Sequence, residues 1–138
     1  MPEPGTTAPT FTDLADAQYV SLSTYRRDGT AVPTAVWAVA DDDRLLVWTV
    51  ADSYKVRRLR RDHRITLAVC DARGRVRGGS VAGTATILDD ADTDRTRAAI
   101  IGKYGLFGWI AVKTSLLRRG RAGTVGLACT LDPAPGAP

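Results

Sequence analysis

A small antiparallel β-barrel with helices packed outside it is the fold this 138-residue sequence predicts. Six β-like runs follow one another through mostly hairpin-length turns, which favours antiparallel neighbours over crossover connections. Two or three helical stretches interrupt them without the regular strand–helix alternation of a parallel sheet. One run, Arg44 to Val50, is largely apolar on both of its faces, so both faces must be covered. In a chain of single-domain length, a second subunit is the natural cover, and a homodimer is expected.

The opening segment, residues 1–10, is rich in Pro, Gly and Thr and is expected to be disordered; the single domain then spans residues 11–131. Phe11 to Ala17 reads as a short helix capped by Thr10 or Thr12. Gln18 to Tyr25 is the first strand. Arg27-Asp28-Gly29-Thr30 turns it back, because Asp-Gly tolerates positive φ. Ala31 to Ala40 is the second strand, ended by Asp41-Asp42-Asp43, and Arg44 to Val50 is the third. Ser53 to Arg61 is a basic helix, with Asp52 or Ser53 as its N-cap and Val56 and Leu59 facing inward. Arg64 to Cys70 is the fourth strand, and a turn at Gly74 leads to a long fifth strand, Val76 to Leu88, interrupted by Gly78, Gly79 and Gly83. Glycines there suit a bulge or a close backbone approach to a ligand. Asp89 or Asp90 caps a helix to about Tyr104, with Ala98, Ile101 and Tyr104 on one face, and Gly105 near its end. Lys103 then complements a helix C-terminus or stands near a site. Phe107 to Leu117 is a second helical piece, Gly120 to Leu131 the last strand, and residues 132–138 a disordered tail.

Net charge is +4 with a pI near 9.4, carried almost wholly by arginine, since Lys55, Lys103 and Lys113 are the only lysines. That balance favours an acidic ligand without naming it. Cys70 and Cys129 each lie in an apolar run and read as buried free thiols of a reducing compartment. With no stretch of membrane-spanning length and no signal peptide, a cytoplasmic protein is expected, with no nucleic-acid partner because basic residues and aromatics do not interleave along a strand.

Conventional proton-transfer chemistry is scarce. His63 is the single histidine, no nucleophile-elbow pattern surrounds any serine, and no GxGxxG opens a helix after a strand. No metal site and no catalytic side chain are assigned. An enzyme built this way must borrow its chemistry from a cofactor. The place to hold one is the third strand and the basic helix: first-turn amides, a hydroxyl at Ser53 and the cations Lys55 and Arg57 suit an anion such as a phosphate. A solvated basic helix is the competing reading.

The order of motifs adds to this. Asp28-Gly29-Thr30, Val32-Pro33-Thr34-Ala35-Val36-Trp37, Leu46-Val47-Trp48-Thr49, Ser53-x-Lys55-x-Arg57, Ile65-Thr66-Leu67-Ala68, Gly83-Thr84-Ala85 and Lys103-Tyr104-Gly105 occur in that sequence. The set resembles the split β-barrel flavin and deazaflavin oxidoreductases related to pyridoxamine 5′-phosphate oxidase, and most of all the branch that uses coenzyme F420. The resemblance implies a mainly β fold with flanking helices, a six-stranded antiparallel split β-barrel, forming a homodimer with cofactor sites at the subunit interface. It implies that Thr49, Ser53 and Lys55 hold the cofactor phosphate with Arg57 nearby. It also implies that Thr34, Ala35, Val36 and Trp37 run along the ring system, and that Val76, Arg77, Gly78 and Gly79 approach it. The activity implied is hydride transfer between F420 and an electron-poor small molecule, with Trp37, Phe107 and Trp109 as candidates for the substrate wall or for the core. FMN is the alternative cofactor, and a non-catalytic carrier the alternative role. Tyr54 stands where flavin-phosphate-binding relatives often carry arginine, which counts against tight FMN binding, and nothing points to vitamin B6 oxidation.

Overall fold

In the computed structural model, which describes residues 7–132, seven antiparallel strands form one sheet flanked by three helices. The first helix, α1 (Phe11–Asp16), opens with a capping box: Thr10 Oγ1 accepts from the Asp13 amide at 3.1 Å, and the Asp13 carboxylate accepts from the Thr10 amide at 2.9 Å. Strands β1 (Tyr19–Tyr25) and β2 (Ala31–Val36) form the expected hairpin, with Gly29 at φ 88°. Pro33 is tolerated because β2 is an edge strand.

The single second strand expected from the sequence is two. It breaks at Trp37, and β3 (Ala38–Asp41) continues beyond it, so the sheet has seven strands rather than six. The sheet order is β2-β1-β5-β6-β7-β4-β3, with β4 (Arg44–Val50), β5 (Arg64–Cys70), β6 (Val76–Ile87) and β7 (Thr124–Leu131) completing it. Consecutive strands β2 and β3 thus occupy opposite edges. The sheet is not closed: only Trp37 separates the end of β2 from the start of β3, and the chain steps across the split there without a ladder joining the two edges. Leu22, Leu45, Val47, Leu67, Leu127 and Cys129 fill the interior, and the surrounding apolar atoms push the Cys129 thiol up to about 12.

The glycine-rich start of β6 is a bulge. Leu67 pairs with Val81 but Val69 with Arg77, so β6 carries extra residues around Gly78, which has φ 84°. Helix α2 (Tyr54–Arg61) is capped by Ser53 and buries Val56 and Leu59. Helix α3 (Asp90–Arg119) is two helices merged across a kink at Gly105, φ 63°. Its buried face differs from the one expected: Ala98 is exposed, and Thr93, Thr96, Arg97 and Ile100 pack inward. Helix α3 also packs on β4 and β7, and Leu46 is buried within the chain, so part of the second face of β4 is covered without a second subunit. Among the described residues no helix is long and apolar enough to cross a membrane. Residues 1–6 of the expected loose start, and the tail from 133 on, lie outside the described residues; within them the Thr7 carbonyl accepts from the Gly79 amide at 3.0 Å.

Candidate functional site

The alternation of β4 decides what it offers to each side. Leu45 and Val47 point into the barrel, and Trp48, Thr49 and Val50 at the end of the strand border a cavity of about 340 Å³. The step between the sheet edges contributes Ala35, Val36 and Trp37 to the same cavity. Tyr19, Thr49, Lys55 and Thr124 line it too, and the second half of α3 closes one side with Ala111 and Ser115. This is the size and make-up of a small-molecule site: mostly apolar and aromatic walls with few polar groups.

Lys55 is the one cation in the lining. Its Nζ donates to Thr49 Oγ1 at 2.8 Å. Among the described residues no carboxylate pairs with it. Burial, with Arg58 nearby, pushes its pKa below the ordinary lysine value of 10.5. An ammonium held half out of water with only a hydroxyl beside it is an unmet demand for negative charge. A second demand lies in the wall: the Trp48 indole Nε1 is buried with no hydrogen-bond partner. An anion-bearing molecule would answer the first, and with the aromatic and aliphatic walls the residues present fit a nucleotide-like redox cofactor of the flavin class.

The sequence-predicted residues divide among several places. Ala35, Val36, Trp37, Thr49 and Lys55 come together in this cavity. Ser53 does not line it; its Oγ accepts from the Val56 amide at 3.5 Å and so starts the helix that presents Lys55. Arg57 is exposed, its guanidinium 5.6 Å from the centre of the Tyr54 ring. Thr34 pairs with Leu22 and shares its barrel-facing side. Val76, Gly78 and Gly79 line a separate cavity of about 460 Å³ with Ser21, Ser23 and Thr66, and Arg77 lines a third with Asp13 and Asp16. Phe107 and Trp109 belong neither to the core nor to the cavity; they are exposed.

Sequence reasoning missed Tyr19, Trp48, Val50, Ala111, Ser115 and Thr124. Trp48 had a usable signal, an aromatic beside Thr49 on a strand with no polar face. Ala111 and Ser115 had none, because only the kink at Gly105 swings their helix over the cavity. His63 is exposed, and no group of three His, Cys, Asp or Glu among the described residues could hold a metal ion.

A family model described as pyridoxamine 5′-phosphate oxidase matches residues 10–118. A conserved hypothetical protein of Mycobacterium tuberculosis superposes with a TM-score of 0.67 at 21% identity, covering 96% of this chain and 87% of that one. The heme storage protein HutZ of Vibrio cholerae gives 0.63 at 13% identity, over 88% and 86%. A FAD-binding protein of Mesorhizobium loti gives 0.57 at 16%, over 87% and 83%. These likenesses establish shared architecture. The comparison with curated proteins gave no match.

Proposed function

The chain belongs to the pyridoxamine 5′-phosphate oxidase family, and on that premise we propose that it is an F420-dependent oxidoreductase, active as a homodimer. When bound, the deazaflavin supplies the hydride chemistry, and the protein supplies grip and orientation. The observation that carries this reading is Lys55: a half-buried cation without a carboxylate, in a cavity otherwise walled by aromatic and aliphatic side chains. Lys55 and Thr49 take the anionic end of the cofactor. Trp37 and Trp48 border its rings. With His63 exposed and Tyr19 and Lys55 the titratable side chains in the lining, and Lys55 engaged with the anionic end of the cofactor, the electron-poor acceptor takes its proton from water or from Tyr19.

The homodimer is supported by apolar side chains that one subunit leaves in water, chiefly Leu106, Phe107, Trp109 and Ile110. It also gives Val76, Gly78 and Gly79 a use, since from their separate cavity they reach a shared site only by belonging to the other subunit's share of it. The second reading is an FMN-binding protein of the same fold, enzyme or carrier. It draws on the FAD-binding and heme-storing relatives, and Tyr54 counts against it.

Parallel titrations with F420 and FMN test the proposal. F420 is expected to bind more tightly. Losing one charge-assisted hydrogen bond costs about 1.5–3 kcal/mol, so Lys55→Ala should weaken F420 binding roughly 10- to 100-fold. Tighter binding of FMN replaces the deazaflavin reading with the flavin one, and an unchanged affinity in Lys55→Ala removes this cavity as the site.

A further inference from the structure

The motif Lys103-Tyr104-Gly105 has no part in the cavity lining, yet it meets the barrel at its most unusual point. Where the sheet splits, Val36 is bonded to β1 and Ala38 to β4 at the opposite edge. Both free backbone groups of Ala38 are taken by side chains of α3. The Tyr104 hydroxyl accepts from the Ala38 amide at 3.2 Å, and its own proton goes to the Gln18 carbonyl at 2.9 Å or the Ala38 carbonyl at 3.1 Å. Lys103 Nζ donates to the carbonyls of Ala38, Ala17 and Ala15 at 2.6, 2.7 and 2.9 Å, which uses all three of its protons. Two of those carbonyls end α1, so Lys103 does complement a helix C-terminus, though that of another helix.

Between these anchors the Tyr104 ring stacks on the indole of Trp37, with centroids 4.5 Å apart and planes 12° from parallel. Behind Tyr104 the chain turns at Gly105 and packs back: a Cβ on Gly108 would lie 3.1 Å from the Tyr104 Cβ and 2.9 Å from the Ile100 carbonyl oxygen. Tyr104 is therefore pinned at its hydroxyl, on its ring face and along its stem. Trp37, which has no strand of its own, inherits its plane from that stack and presents the rest of its surface to the cavity.

We propose that Lys103 and Tyr104 are positioning residues that fix the indole of Trp37 as the aromatic wall of the cavity and so set the gap open to a planar ligand. Neither touches that ligand. The consequence for binding rests on the cofactor reading above; the consequence for Trp37 does not.

The full chain labelled with 5-fluorotryptophan carries three fluorine signals, for Trp37, Trp48 and Trp109, assignable through single Trp→Phe variants. Without any ligand, Tyr104→Leu removes the stack, Tyr104→Phe keeps the ring and loses the hydroxyl, and Lys103→Met keeps the stem and loses the ammonium. In each, the Trp37 signal should shift or broaden while those of Trp48 and Trp109 stay. Affinity for F420 and FMN should fall about fivefold or more, because a pre-set wall becomes one that must be ordered on binding. Should Lys103→Met or Tyr104→Leu fail to fold, Tyr104→Phe carries the test, since it preserves shape and packing. An unmoved Trp37 signal in the folded variants overturns the proposal. A Trp37 signal that moves in a protein binding neither F420 nor FMN upholds the positioning role and defeats the cofactor reading instead.

Discussion

The two halves of α3 invert each other. The half before Gly105 buries polar side chains, and the half after it exposes apolar ones. In the first, Thr93 Oγ1 accepts from the Gly126 amide at 3.1 Å, and Thr96 Oγ1 donates to the Asp92 carbonyl at 2.8 Å. Arg97, buried on the barrel, donates to the Arg121 carbonyl at 2.6 Å, to Thr124 Oγ1 at 2.8 Å and to the Asp94 carboxylate at 2.7 Å. In the second half Phe107 is 78% exposed and Leu106 69%, with Trp109, Ile110 and Leu117 also in water. Directional bonds hold the first half to the edge of β7. The second half packs through Gly108 and Val112 and leaves its other apolar side chains in water. The apolar face read from the sequence, Ala98, Ile101 and Tyr104, is therefore not the one that buries Thr93, Thr96, Arg97 and Ile100 in the first half, and apolar residues in the second half do not mark a core.

The largest effect should come from breaking the polar anchor. Arg97→Met removes the cation and leaves the buried Thr124 hydroxyl and the partly buried Arg121 carbonyl without their N–H donors. Unmet buried acceptors and the lost ion pair should cost about 3 kcal/mol of unfolding free energy. Urea denaturation checks this, and an unchanged midpoint would mean that the hydrogen bonds of the first half do not hold it. The complementary change is Leu106→Gln with Phe107→Gln. These side chains contribute little to the isolated subunit, so its stability should stay within about 0.5 kcal/mol. Association should suffer, because each buried Leu or Phe is worth about 1.5–3 kcal/mol. Sedimentation should show the dimer dissociation constant raised at least ~10-fold. A wild-type chain that sediments as a monomer at micromolar concentration defeats the interface outright.

The same contrast explains what could be read in advance. Local chemistry was legible: the Asp28-Gly29 hairpin, the turn at Asp42 with φ 55°, the caps at Thr10, Ser53 and Asp89, and the break at Gly105 each follow from a residue and its immediate neighbours. The split at Trp37 was not. Val32 to Ala40 is an unbroken β-like run, and the groups that interrupt it, Lys103 and Tyr104, lie 65 and 66 residues further along. The cover over β4 was misjudged for the same reason: α3 supplies part of it, and nothing in the alternation of β4 names the element that lands there. Within the cavity, Lys55 could be singled out from the basic helix that follows the third strand, and Thr49 came from the family resemblance. Ala111 and Ser115 were not legible, because tertiary packing brings them there.

The smallest predicted effect concerns the inner side of the second half, where Ala111 and Ser115 face Lys55 across the cavity. Burial holds the Lys55 pKa in the folded chain below 10.5, its value in the unfolded chain. As pH rises through the folded value, native Lys55 gives up its proton first. The unfolded state then binds more protons, so folding stability contributed by this group increases with pH across that window. Anion binding must move the other way, since the neutral amine no longer attracts the tail. Affinity for F420 should therefore fall, by about 10-fold for one charge-assisted bond, between neutral pH and the ordinary lysine range. Lys103, also held low by burial, gives a stability change of the same sign but lies outside the lining, so Lys55→Gln should abolish the affinity change and leave part of the stability change. Affinity that stays flat with pH in the wild type would place the anion away from Lys55. The covered side of this helix would then be as free of ligand as its outer side, and the contrast between its two faces would be one of packing alone.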